Sequence, residues 1–248
     1  MIISLGYRIK SLVATHFRRW AIERIKEYMI KGFTIDDVRL KQFGGGNYWK
    51  ELLNRIRDIR SSEKVMYRQV LDLYATSVDY EPKRDTFIKF FKTVQNKLHY
   101  ATHGNTAAEI IYNRANAEEL FMGLTTFSGD IPTSKEVGIA KNYLKEDELK
   151  ILNNLVSGYF DFAEVQAMRK NLMYMSDYIK HLDNILSVTG EKVLKGTGNI
   201  SHQRAIKKAK EEYLKYQKNT LPPVEQVYLD SIKKIEKKVS KKSKENNH

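Results

Sequence analysis

The chain contains no cysteine. Disulfide frameworks, Cys-ligated zinc, iron–sulfur clusters and thiol nucleophiles are therefore excluded together, and any metal would have to sit on histidine and carboxylates. Proline is scarce, with four residues in 248, and glycine is limited to 13. With so little to interrupt helices, and with Leu, Ile, Lys, Glu and Tyr abundant, the composition favours an ordered, mostly helical protein. Long apolar runs are also missing, since Met1–Leu5 is broken by Gly6, Arg8 and Lys10, far short of the about 18–20 residues that a membrane-spanning helix needs. A soluble protein without a membrane span is expected. The length suits one large domain or two small ones, enough to bury a sizeable core.

What the chain does have is positive charge, unevenly spread. Against 30 Asp and Glu stand 43 Lys and Arg, a formal net charge of +13. Residues 1–60 hold 13 basic and 6 acidic side chains, residues 231–248 hold 7 and 2, and the stretch between is nearly balanced with 23 and 22. Such a field attracts polyanions, either nucleic acid or an anionic membrane surface. The C-terminal run, lysine-rich without arginine and mixed with Ser and Asn, also reads as a plain solvated surface. The N-terminal block is arginine-rich, which suits bidentate phosphate contacts. Its first 22 residues lack acids and imitate a transit peptide, but the pattern continues without a cleavage-like break into one helix from about Thr15 to Lys31, closed by Gly32.

Helix limits are legible along the rest. After Gly44–Gly46, Asn47 is placed to cap a long helix reaching about Ser77, with Leu52, Ile56, Ile59, Met66, Val70 and Leu73 on one face and only Glu63 interrupting. Arg57, Arg60, Lys64 and Arg68 share another face, a basic ridge that either follows a phosphate backbone or faces water. Beyond Pro82 a helix is expected from about Lys83 to Thr102, with Phe87, Phe90, Phe91, Val94 and Leu98 inward. Gly104 then offers a left-handed C-cap, and Thr106 to Glu109 forms a capping box, with Thr and Glu satisfying free backbone N–H groups reciprocally. Two helices meeting across about three residues have helix-turn-helix spacing, and equally that of any helical hairpin. Ile110 fits the aliphatic position of the DNA-reading version, whereas Tyr100 would crowd the position of the small residue. DNA readout would fall to Asn113 and Arg114.

Leu120–Gly129 is the one segment in the middle of the chain that reads as extended. Thr133–Glu136 is a second capping box, opening a short helix to Leu144. A long helix follows to about Lys170, with Leu149, Leu152, Val156, Tyr159, Phe160, Ala163 and Ala167 on one face. Ser176 and Ser201 are placed to cap helices reaching Val188 and Lys218. Pro222-Pro223 forces a stop before an amphipathic helix with Val227, Ile232, Ile235 and Val239.

Chemistry is sparse. His99 and His103 have the spacing of two metal ligands on a helix, without an obvious third. His103-Gly104-Asn105, with Arg114 further on, resembles the core of a Fic AMP-transferase loop, but the second Gly and adjacent Arg of the phosphate cradle are absent. Gly190–Gly198 holds phosphate-loop residues in the wrong order, Lys195 preceding Gly196, as in an inter-helix loop. Asp161 and Glu164 share a helix face, which usually means ion pairing. No catalytic residue, metal or cofactor is assigned, and no enzymatic activity is expected.

Taken in order, Gly6-Tyr7-Arg8, Phe17-Arg18-Arg19-Trp20-Ala21, Lys26 to Phe33, Asp36-Asp37, Arg39-Leu40-Lys41, Glu51-Leu52-Leu53, Arg55 to Arg60, Tyr74 to Ser77, Val94 to His99, Thr106 to Ile111, Met122 to Thr125 and Ile139 to Leu144 resemble the virulence protein RhuM family over residues 1 to about 218. The family's biochemical activity is not established. Its members occur beside restriction-modification genes and are sometimes fused to Fic domains. The Gly-Tyr-Arg and Phe-Arg-Arg-Trp segment is similar to the end of a Bro-N type domain, which is associated with DNA binding. Met1 falls at a position internal to the family, and Lys145 stands where the family tends to have a capping Ser.

The resemblance and the residues together lead to an expectation of a mainly α protein. Residues 1–43 form a remnant of an α+β Bro-N-like domain, 47–218 a helical RhuM-type bundle with at most a short strand or hairpin near 120–129, and 219–248 a lysine-rich helix or tail. Function is expected to be that of a cytoplasmic bacterial, nucleic-acid-associated regulatory protein of mobile-element origin. Arg8, Arg18, Arg19, Arg57, Arg60, Lys64, Arg68, Asn113 and Arg114 are the candidate contacts, and Gly104, Thr106 and Glu109 form a structural turn. The alternatives are a protein-interaction or effector module acting through a partner such as a Fic-type enzyme, possible secretion into a host included, or a truncated remnant without function. No oligomeric state is legible.

Overall fold

The computed structural model describes residues 10–42, 46–81, 83–220 and 232. Arg8, the lysine-rich run and the helix expected after Pro222-Pro223, apart from Ile232, lie outside these. The described residues are mainly helical and contain no strand. The chain divides into two compact units, residues 1–55 and 56–248, so the division falls within a helix rather than in the glycine-rich segment near residue 45.

In the first unit, α1 (Leu12–Lys31) opens on Ser11, whose Oγ accepts the Ala14 N–H at 3.1 Å, and closes on Gly32 at φ +79°. It is followed by α2 (Asp37–Gln42), capped by the Asp36 carboxylate on the Arg39 N–H at 3.0 Å, and by the start of α3 (Gly46–Arg60). Among the described residues of this unit, only Ala14 and Ala21 are buried hydrophobics.

The second unit carries the core. After the end of α3 come α4 (Glu63–Thr76), α5 (Arg84–His103), α6 (Ala107–Arg114), α7 (Glu146–Met168), α8 (Met175–Val188) and α9 (His202–Thr220). Helix α5 is central and packs on α4, α7 and α8, while α6 packs on α9. The expected apolar face of α5 is buried at Phe87, Phe90, Val94 and Leu98. Tyr67 of α4 meets Phe87 edge-on at 5.1 Å and Phe91 at 5.2 Å, the preferred aromatic geometry.

Several expectations are corrected. The single helix from Asn47 to Ser77 is two helices broken at Ser61-Ser62, and Asn47 lies inside α3 instead of capping it. At the break the Ser61 hydroxyl donates to Asp58 O at 3.0 Å and the Ser62 hydroxyl to Ile59 O at 2.6 Å, the local competition by which serine ends helices. The apolar stripe is accordingly buried only in α4, at Met66, Val70 and Leu73, while Ile56 and Ile59 are exposed. Residues 120–129 contain a 3₁₀ turn, Leu120–Gly123, in place of a strand. The amides of Thr125 and Thr126 both donate to Asn142 O, at 2.7 and 3.3 Å, without a ladder. The short helix before Leu144 is two 3₁₀ turns, Glu136–Gly138 and Ala140–Tyr143. Ser176 lies inside α8, whose N-cap position is Tyr174, the Asp177 carboxylate accepting the Tyr174 N–H at 3.1 Å. Helix α7 ends at Met168, and Ala167 is exposed.

Candidate functional site

The α5–α6 turn forms as its residues dictate. Gly104 sits at φ +74° and donates to Tyr100 O at 2.7 Å, a conformation that costs glycine nothing. Thr106 Oγ1 accepts the Glu109 N–H at 3.3 Å, and the Glu109 carboxylate accepts the Thr106 N–H at 2.7 Å. Glu109 does more than cap: its other oxygen accepts the Asn199 N–H at 2.7 Å, pinning the loop after α8 onto the start of α6. Burial pushes the Glu109 carboxyl up, but the hydrogen bonds from Thr106 and Asn199 outweigh it and leave it lowered. Gly198, at φ +84°, is drawn so close that a Cβ there would lie 2.6 Å from Thr106 Cγ2.

This pinned loop borders a groove of about 890 Å³, together with Lys89, Lys92 and Gln95 of α5, Thr106–Ala108 at the start of α6, Ser201 and His202 at the start of α9, and Glu63. Behind it is a cavity of about 120 Å³ that shares Glu63, Gln95, Ala107 and His202 with the groove wall. Its remaining polar lining is Ser61, His99 and Lys141, set among Met66, Leu98, Ile111, Leu152 and Val156.

His99 is 5% exposed, with Nδ1 3.5 Å from His103 Nε2. Burial first, then His103 and Lys141, lower its pKa to about 3. His103 is lowered to about 4, again chiefly by burial, with Arg114 adding and Glu148 opposing, and its buried Nδ1 has no hydrogen-bond partner. Both imidazoles are neutral at physiological pH. Lys141 Nζ donates to Asp58 Oδ1 at 2.8 Å and Ser61 Oγ at 3.0 Å.

The sequence-expected contact residues do not converge. Arg18, half-buried and donating to Thr15 Oγ1 at 3.0 Å, and the exposed Arg19 belong to α1. The ridge of Arg57, Arg60, Lys64 and Arg68 is split by the Ser61-Ser62 break. Arg60 pairs with Asp161, stands 3.9 Å from Glu164 and lies over the Phe160 ring, whereas Lys64 and Arg68 are exposed. Asn113 is exposed and donates to Asn105 Oδ1 at 3.4 Å. Arg114 turns inward, donating to both Glu148 oxygens at 2.6 and 2.5 Å and to Tyr143 O at 2.6 Å. Arg114 and the Lys145 N–H together hold the Glu148 carboxyl at about 2 against the opposing effect of burial. The groove residues Lys89, Lys92 and His202 and the cavity residue Lys141 were not singled out by sequence. Only the odd glycine order at 190–198 hinted at them. Among the described residues no three metal-ligating side chains stand together.

These elements define a mainly helical protein with a cationic groove built on a helix–turn–helix join. The chain belongs to the virulence protein RhuM family, which matches residues 1–222. Comparison with curated proteins and with solved structures gave no match.

Proposed function

We propose that this virulence-associated protein is a nucleic-acid-associated regulator that binds without performing catalysis. The supporting observation is a set of exposed cations on consecutive helices, Lys64 and Arg68 of α4 and Lys89 and Lys92 of α5, none of which pairs with a carboxylate among the described residues, whereas Arg60, Lys97, Arg114 and Lys141 all do. Unpaired exposed cations are the groups that can neutralise phosphates and release counterions. With Arg114 committed to Glu148, base readout by the α5–α6 hairpin has no support, so the binding proposed is to the backbone and independent of sequence.

The test is a titration of labelled duplex and single-stranded DNA at several salt concentrations. Affinity should fall steeply with salt, and replacing Lys64 and Arg68 together by Gln should reduce the slope of log K against log salt by about 2. Salt-independent binding, or none at low salt, overturns the reading. A second reading has its own observation, the exposed apolar side chains Trp20, Ile22, Ile25, Met29 and Ile30 of α1. These favour a protein partner for that helix, and replacing Ile22, Ile25 and Met29 by Ser should abolish its capture.

A further inference from the structure

We propose that α1, from Arg18 to Met29, docks on an anionic phospholipid surface, with Ile22, Ile25 and Met29 entering the acyl boundary and Arg18, Arg19 and Lys26 meeting the headgroups. Such docking goes beyond duplex binding, and it gives α1 an occupant other than the protein of the second reading.

The helix is open where its sequence is most apolar. Ala14 and Ala21 are buried, but beyond Ala21 the side chains of Ile22 and Ile25 are each 54% exposed, Tyr28 is 60% exposed and Met29 78%. Ile22, Ile25 and Met29 are spaced three and four apart and therefore form one stripe along the helix. Tyr28 lies at one edge of it. Trp20 and Ile30, also exposed, lie off the stripe. No helix among the described residues is long and apolar enough to cross a membrane, so a lipid contact through α1 is one of lying on the surface and not of spanning.

Charge names the occupant. Arg18 precedes Ile22 by four residues and so stands on the stripe, while Arg19 and Lys26 stand along the edge away from Tyr28. No acid of the helix shares that side. Both of its acids, Glu23 and Glu27, fall on the other side, where Glu27 pairs with Arg24 at 3.0 Å and with Lys31 at 3.0 Å. Two cations and two acids cancel there, so the three remaining positive charges of the helix all belong to the side of the apolar stripe.

That pattern separates the occupants. A second copy meeting the stripe isologously sets Arg18, Arg19 and Lys26 against like charges. A standard protein interface also takes about 800 Å² from each partner, of which four half-open side chains supply about half. Duplex DNA accounts for the cations but leaves the stripe in water. A bilayer asks for no matched surface, because each apolar side chain enters it singly and anionic headgroups add about fivefold in affinity for each Lys or Arg beside them.

The absence of cysteine makes the test direct. Full-length protein carrying Met29→Cys, and separately Glu23→Cys, is labelled with a polarity-sensitive fluorophore and mixed with vesicles of phosphatidylcholine alone or of phosphatidylcholine with phosphatidylserine. The label at position 29 should shift to the blue with the anionic vesicles and not with the neutral ones, and the label at position 23 should keep its aqueous emission throughout. Sedimentation with the anionic vesicles should show binding weakened about fivefold per cation in Arg19→Gln with Lys26→Gln, and about tenfold or more in Ile25→Ser with Met29→Ser. The melting temperature should stay unchanged, since all four positions are exposed. No sedimentation with anionic vesicles overturns the proposal. So does an equal shift at both labelled positions, or binding that the Ser variant leaves unaltered, because either means adsorption by charge without insertion. A shift at position 29 that grows with protein concentration in the absence of lipid means that a second copy covers the stripe, and overturns it as well. If vesicles are not bound while the Ser substitutions abolish capture of a protein, the second reading stands and the lipid surface falls.

Discussion

At the scale of single residues, backbone conformation and burial make two quantities measurable. Gly123 and Gly129 both sit at φ +78°, but a Cβ at Gly123 would lie 2.5 Å from the Arg114 carbonyl oxygen, whereas at Gly129 it meets open space. Gly129→Ala should therefore cost only the left-handed penalty of about 1–2 kcal/mol. Gly123→Ala should cost clearly more, about 3 kcal/mol or above, because backbone must move. Urea denaturation of the two variants side by side checks the difference, and equal losses would remove the close approach from the account. His99 gives the second quantity. Its folded pKa of about 3 lies below its ordinary 6.5, so between those values the unfolded chain binds a proton that the folded one refuses. Stability should be undiminished above about pH 6.5 and fall as the pH drops toward 3, with His99 contributing a slope of up to about 1.4 kcal/mol per pH unit. His103, partly open to solvent, adds less. Melting temperature measured from pH 7.5 to 4.5 should show this decline, and His99→Gln should flatten it; a profile level down to pH 5 contradicts the burial of a neutral imidazole.

At the scale of elements, what sequence revealed was what neighbouring residues decide. The α5–α6 join was legible because Gly104, Thr106 and Glu109 act on backbone groups within three or four positions. The break between α3 and α4 was written in Ser61-Ser62 but outvoted by an apolar stripe that continues through it, and that stripe faces solvent at Ile56 and Ile59. Arg114 shows the limit most clearly. Its partner Glu148 is 34 positions away, so no window over α6 could tell an inward arginine from one turned to nucleic acid. The pair joins the end of α6 to the start of α7, where Glu148 also accepts the Lys145 N–H at 2.8 Å. Arg114→Lys keeps the charge but loses the bidentate fork, and should destabilise by about 1–3 kcal/mol, the half-buried setting keeping it below the full cost of an orphaned interior charge. Chemical denaturation at pH 7 checks this. A neutral result would release Arg114 for the surface role its position first implied.

At the scale of the whole molecule, the helical class followed from composition, yet the groove did not, because residues near 63, 89–108 and 194–202 supply it and each reads alone as an ordinary helix or loop. The same separation of scales applies to the two units. Among the described residues, those of 56–248 hold nearly all of the buried apolar side chains, while in 1–55 only Ala14 and Ala21 are buried hydrophobics, and Met29 and Ile30 of α1 are 78% and 73% exposed. Protection against hydrogen exchange follows local burial and cooperative packing. Amides of α1 should thus exchange at least about tenfold faster than those of α5 and α7, equivalent to an opening free energy lower by about 1.4 kcal/mol or more. Exchange followed by mass spectrometry at two protein concentrations tests this and discriminates its exceptions. If α1 is slow at high concentration and fast at low, its apolar side chains are covered by a second copy, since association stabilises by mass action. If α1 is as slow as α5 at both concentrations, the first unit is held by contacts within one chain, and the protein-partner reading drawn from its exposed face fails.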